Sequence, residues 1–149
     1  MNKVLVRIGG VYHLLCAVLH IFFPYMFQWS ERMAPLTGES AMVISANLSI
    51  MNYCLLVFWV ILAYIPIVHT VELLETGMGR ALLTGIVLFW IVRIFVLQPL
   101  YVGYTTPESL ITVAVFAAGL AMFFIPWVRI VLFRKRGAAW RSRLNTGWR

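Results

Sequence analysis

The stretch Ala81-Leu82-Leu83-Thr84-Gly85-Ile86-Val87-Leu88-Phe89-Trp90-Ile91-Val92-Arg93-Ile94-Phe95-Val96-Leu97-Gln98-Pro99-Leu100 decides the fold. It reaches the roughly 20 residues that a helix needs to cross about 30 Å of hydrocarbon. Apart from the indole of Trp90, only Thr84, Arg93 and Gln98 interrupt its apolar character with hydrogen-bonding side chains. No water is present in a bilayer core to satisfy a bare backbone, so such a segment must form a helix that bonds to itself. Three comparable runs accompany it: Val4 to Phe27, Met42 to Ile67 and Leu110 to Phe133. The fold class that follows is all-α, a polytopic membrane protein built as a four-transmembrane-helix bundle.

Composition agrees. Hydrophobic residues make up 62% of the chain and charged residues 11%, against about 45–50% and about 25% in soluble domains. The first run follows Lys3 and Arg7 as a signal peptide would. Its apolar part, Ile8 to Phe27, is longer than the usual h-region of about 7–15 residues, and Gln28-Trp29-Ser30-Glu31 offers no small-residue cleavage site. It is read as a retained span. The domain division is then 1–133 for the membrane bundle and 134–149 for a basic tail.

The basic residues set the expected orientation. Lys3 and Arg7 precede the first span, Arg80 lies between the second and third, and Arg129, Arg134, Lys135, Arg136, Arg141, Arg143 and Arg149 crowd the end of the fourth span and the tail. Only Arg32 lies in the first connection, and the third has none. The positive-inside rule places both termini in the cytoplasm. The net charge of +7 is therefore a topology signal. No nucleic-acid partner is expected, because no recognition motif accompanies the charge. In the tail, Arg134, Lys135, Arg136, Trp140, Arg141 and Arg143 suit contact with anionic lipid headgroups, each basic group contributing about 1 kcal/mol near the surface.

Arg93 is the most pointed residue. A guanidinium near mid-membrane is costly and marks a functional or assembly contact. With a rise of about 1.5 Å per residue it lies about 3 Å to the outer side of the centre, His20 about 7 Å, Asn52 about 4–5 Å and Gln98 about 10–12 Å, with His13 about 4 Å to the inner side. The five acids, Glu31, Glu39, Glu72, Glu75 and Glu108, all fall outside the apolar cores. An uncompensated buried cation must recruit lipid phosphate, an anionic or carbonyl-bearing ligand, or a carboxylate from another chain.

Helical spacing adds a second filter. His13, Cys16 and His20 share one stripe of the first span, and Ser45, Ser49 and Asn52 share one on the second. Both stripes are expected to face the interior, where the ordinary role of such groups is interhelical hydrogen bonding worth around 0.6 kcal/mol each. The ligand reading takes Arg93, His20, Asn52, His13 and Gln98 as donors, with Tyr53, Trp90 and Tyr101 as wall or rim. Cys16 and Cys54, each within about 2 Å of mid-membrane, form a candidate thiol pair, although a buried cysteine is usually a small inert hydrophobe.

Other chemistries find little support. No metal site is expected: His69-x-x-Glu72 lacks a second ligand pair, and a Gly stop at Gly77 makes the inner connection a solvated helix end. Intrachain haem is disfavoured, because His69 lies about 20 Å inward of the centre, far from His13 and His20; a His20–Met51 pair alone matches in depth. Thr105-Thr106-Pro107-Glu108 reads as the N-cap of the fourth span. The chain contains no G-x-S-x-G, no H-E-x-x-H and no P-loop. No catalytic residue is assigned, and the balance is against an enzyme.

Four spans in about 150 residues, both ends inside, a basic tail and an intramembrane arginine resemble the DoxX-like group of small bacterial inner-membrane proteins. The likeness rests on architecture across the hydrophobic chain and carries no residue roles. It implies a bacterial inner (cell) membrane and an association with quinone-linked or thiol-linked redox systems. The expected function is a small inner-membrane protein holding a lipophilic or anionic molecule, with a quinone as candidate cofactor, against Arg93 in the outer half of the bundle. The rival is a non-catalytic accessory subunit, or a homo-oligomer, with Arg93 paired to a partner chain.

Overall fold

The structure, a computed structural model, describes residues 1–35 and 38–146, with side chains described through residue 131 except at position 40. In chain order the elements are α1 (Asn2–Met26), the short α2 (Trp29–Met33), α3 (Glu39–Val68), α4 (Thr70–Glu75), α5 (Gly77–Val92), a π-helical segment (Arg93–Leu97), α6 (Gln98–Tyr101) and α7 (Pro107–Thr146). Four helical stretches are long and apolar enough to cross a membrane: Asn2–Met26, Ala41–Val68, Gly77–Tyr101 and Pro107–Val131. These match the four expected runs to within four residues at each end. No strand occurs among the described residues.

The long helices surround an aromatic core. α1 packs against α3 on one side and α7 on the other, and α7 also packs against α5. Gly9 and Gly10 permit this double contact, because a Cβ at Gly9 would stand 2.5 Å from the Phe123 ring and one at Gly10 only 2.7 Å from Ile67. α3 and α5 meet mainly through rings: centroids lie 5.4 Å apart for Phe58–Phe89, 5.5 Å for Trp59–Phe89 and 5.6 Å for Trp59–Trp90. Val6, Leu83, Trp90 and Phe123 are wholly buried. Leu15, Ile21, Val57, Ile61, Leu88 and Ile111 are exposed, as befits side chains whose solvent is lipid.

Both termini of the membrane domain lie at one end, here the terminal end. Arg129 donates to Asn2 Oδ1 (3.3 Å), Arg7 donates to Thr70 Oγ1 (3.3 Å), and Lys3 pairs with Glu75 at 3.4 Å. At this end the expected Gly stop is corrected. Gly77 does not terminate a helix; it opens α5, after Thr76 has turned the chain with extended backbone and accepted a hydrogen bond from Gly79 N. Thr76 wins because its hydroxyl caps an orphan N–H. Gly79 is required for a different reason, since a Cβ there would run into the backbone of Glu72 and Leu73.

At the far end the cap expected for the fourth span takes a more specific form. Thr106 Oγ1 accepts from Ser109 N while Ser109 Oγ accepts from Thr106 N, both at 3.2 Å. This is a capping box with serine in the position glutamate usually holds. Beyond residue 131, α7 continues unbroken to Thr146, through the segment read as a tail. The side chains of Arg134, Lys135, Arg136, Trp140, Arg141 and Arg143 lie outside the described residues.

Candidate functional site

Three prolines inside or beside the spans explain part of the polar chemistry within the bundle. Proline has no N–H, so the carbonyl four residues earlier loses its helical partner. In α1, Pro24 leaves His20 O unserved, and Asn52 Nδ2 donates to it across the α1–α3 interface at 2.9 Å. In α3, Pro66 does the same to Leu62 O, and His13 Nδ1 fills the gap at 2.9 Å. At the π-helical segment the partner of Ile94 O in an i→i+5 register is Pro99, and Tyr104 Oη donates there instead. Each polar side chain thus closes a backbone vacancy that lipid could not fill.

The two histidines are fully engaged. His13 Nδ1–H points to Leu62 O, leaving Nε2 as acceptor for the Trp90 indole N–H at 3.2 Å. His20 repeats the arrangement, with Nδ1–H to Cys16 O at 2.7 Å and Nε2 accepting from Trp59 at 3.3 Å. A neutral Nδ1–H imidazole is the one form that satisfies both contacts, since a ring protonated on both nitrogens has no acceptor for an indole. The rings also stack: His13 lies 4.8 Å from Phe123, and His20 4.2 Å from Phe23. These imidazoles hold two tryptophans, the proline-vacated Leu62 carbonyl and the Cys16 carbonyl one turn earlier on α1.

Arg93 stands apart from them. The π-helical segment begins at this residue, and an i→i+5 register brings residue 98 over residue 93. Arg93 Nη1 donates to Gln98 Oε1 at 3.1 Å, and the wholly buried Gln98 passes its own Nε2 to Gly103 O at 3.4 Å. The guanidinium carbon sits 4.4 Å from the centroid of Phe116 on α7, a cation–π contact. The side chain is half-buried. Among the described residues Arg93 has no carboxylate partner; the acids pair only as Lys3–Glu75 and His69–Glu72.

The expected grouping is therefore divided. His20 and Asn52 are brought together and Arg93 and Gln98 are brought together, yet no hydrogen bond among the described residues links the two pairs. Trp90 is interior, but Tyr53 and Tyr101 are 67% and 77% exposed and do not wall an interior site. Cys16 is buried whereas Cys54 is exposed, so the thiols occupy different faces and do not form a pair. Met51 is exposed as well, and His20 Nε2 is taken by Trp59, which separates the partners of the His20–Met51 alternative.

The second-span stripe is likewise split: Asn52 is buried, Ser45 is exposed, and Ser49 Oγ bonds back to Ser45 O at 3.0 Å. A serine that satisfies itself on its own helix has no need of the interior. Residues absent from the sequence reading are Trp59, Phe116 and Tyr104.

Among the described residues the surface carries recesses at two places of note. One, of about 380 Å³, lies between α3 and α5 and is lined by Phe58, Leu62, Leu82, Gly85, Ile86 and Phe89 among others. The second lies at the terminal end beside Lys3, Glu75 and Arg129. Among the described residues no three His, Cys, Asp or Glu side chains gather as a metal site. The chain matches no family model, no curated protein and no solved structure.

Proposed function

We propose that this chain is a multi-pass protein of a bacterial inner membrane, with both termini cytoplasmic, that holds the anionic or carbonyl oxygen of a lipophilic molecule against Arg93, which Gln98 positions. The observation that carries this reading is the half-buried guanidinium whose described partners are a neutral amide and an aromatic face. A guanidinium has five N–H donors, and an amide oxygen occupies one of them. A cation so placed is stabilised by an oxygen-bearing ligand more than by anything its own chain supplies. The π-helical segment supports the same reading, since such local widening is frequent at functional sites.

The ligand donor in this proposal is Arg93, and Gln98, wholly buried with Oε1 on Arg93 and Nε2 on Gly103 O, positions it. His20 and Asn52 are left out of it, because their polar atoms serve Trp59 and a vacated carbonyl. The architecture's likeness to the DoxX-like group makes a quinone the first ligand to try. No catalytic step is assigned.

Purification in mild detergent followed by mass spectrometry of retained small molecules tests the proposal. A quinone or anionic lipid present in the wild type and lost in a folded Arg93→Leu variant is the expected result. A stoichiometric membrane protein lost in that variant, with no small molecule retained, would reject the ligand reading in favour of an accessory subunit. The orientation is tested separately by C-terminal reporter fusions: fluorescent protein active and alkaline phosphatase silent is expected, and the reverse overturns it.

A further inference from the structure

The cleft between α3 and α5 lies on the same stripe of α5 as Arg93. Leu82, Ile86, Phe89 and Arg93 follow the i, i+4, i+7, i+11 spacing of one helix face. The first three line the cleft, and Arg93 stands one turn beyond Phe89. The cleft opens sideways through residues on the lipid-facing surface, among them Met78, Leu82 and Gly85. Its volume of about 380 Å³ falls within the range of about 300–1,000 Å³ typical of small-molecule sites.

We infer that this cleft receives the single aliphatic tail of the molecule whose oxygen-bearing head Arg93 holds. The inference rests on the proposed role of Arg93 and adds the ligand class: a one-tailed lipophile with a carboxylate or quinone-like head, entering from the membrane between α3 and α5. The reach fits. From Arg93 to Met78 the face runs about 22 Å at about 1.5 Å per residue, the order of an extended palmitoyl chain.

Charge and polarity are arranged accordingly. The lining of the cleft contains only Phe, Leu, Ile, Met, Ala and Gly, and the nearest cation on the same face of α5 is Arg93, one turn beyond Phe89 with its guanidinium over Phe116 of α7. The Phe58–Phe89 ring pair, 5.4 Å between centroids, forms the edge nearest Arg93. The tail passes along its lipid-facing side, where Phe58 is partly exposed. At Gly85 a Cβ would meet no heavy atom within 4 Å, so space at the cleft mouth is open where a larger residue would close it.

Photo-crosslinking in phosphatidylcholine nanodiscs provides the test, with palmitate carrying a mid-chain diazirine as the probe and labelled residues mapped by mass spectrometry. Labelling at Leu62, Leu82 and Ile86 is expected, falling roughly tenfold or more in Gly85→Phe or Ala81→Phe, as overpacking a filled site would cause, and falling similarly in Arg93→Leu. Thermal melting checks that each variant folds. Competition by unlabelled palmitate alone assigns an anionic head, and competition by decylquinone alone assigns a carbonyl head. Competition by neither overturns the inference.

Labelling indifferent to both cleft substitutions also overturns it while leaving the Arg93 reading to its own retained-ligand measurement. Labelling sensitive to Gly85→Phe but not to Arg93→Leu means that the cleft takes annular lipid tails only, and the inference fails.

Discussion

Replacing His13 by phenylalanine removes two hydrogen bonds and retains a flat ring against Phe123. The Leu62 carbonyl, already deprived of a helical donor by Pro66, loses His13 Nδ1–H, and the Trp90 indole loses its acceptor. Interhelical hydrogen bonds in membranes average about 0.6 kcal/mol and reach about 1.7, because the unfolded chain in lipid finds other partners. Two such bonds give about 1–3 kcal/mol. A buried orphan in water-referenced data costs about 1–3 kcal/mol by itself, so the upper half of that interval applies where no alternative partner exists. We expect a loss of about 2 kcal/mol, roughly 30-fold in the unfolding equilibrium.

Reversible unfolding in mixed micelles measures it. The structure makes a sharper demand through double-mutant cycles. In a Pro66→Ala background residue 66 regains an N–H able to serve Leu62 O, and in a Trp90→Phe background no indole needs an acceptor. His13→Phe should therefore cost less in each background by about half, allowing for the scatter of such bonds. An undiminished cost in both would refute the vacancy-filling account of His13.

The parallel pair is Asn52 and Pro24. Asn52→Leu should destabilise the bundle by about 1 kcal/mol, and appreciably less when Pro24→Ala restores a donor for His20 O, as read by the same unfolding assay. Gly79→Ala should cost about 1–3 kcal/mol through collision with the α4 backbone; a neutral change in melting would show that the α4–α5 turn can relax. In detergent, Cys54 should be alkylated by a small apolar maleimide well before Cys16, with no disulfide joining them. Equal modification rates by mass spectrometry would contradict the burial difference.

The spans were legible because a membrane helix needs only length and apolarity, properties of contiguous residues. A further signal was present and unused: the residue four before each proline names a carbonyl in need of a donor, which points to His20 and Leu62. Asn52 and His13 looked like ligand groups because depth and helical angle locate a side chain without revealing which backbone atom on a neighbouring helix it faces. Ser45 and Cys54 were misplaced for a related reason. A hydroxyl able to bond its own helix, or a thiol indifferent to its surroundings, imposes no facing on the helix that carries it.

By itself, the chain's linear order determined that four helices are long and apolar enough to cross a bilayer and that a guanidinium falls within one of them, since both are properties of contiguous residues. Only the folded arrangement decided which donors met which acceptors. It engaged both imidazoles with indoles, aligned Arg93 with Gln98 through the wider π-helical turn, and left α3 and α5 parted below their ring contacts. Those outcomes depend on the rotation and separation of neighbouring helices, which are set by packing across the whole bundle and leave no local mark in any one segment.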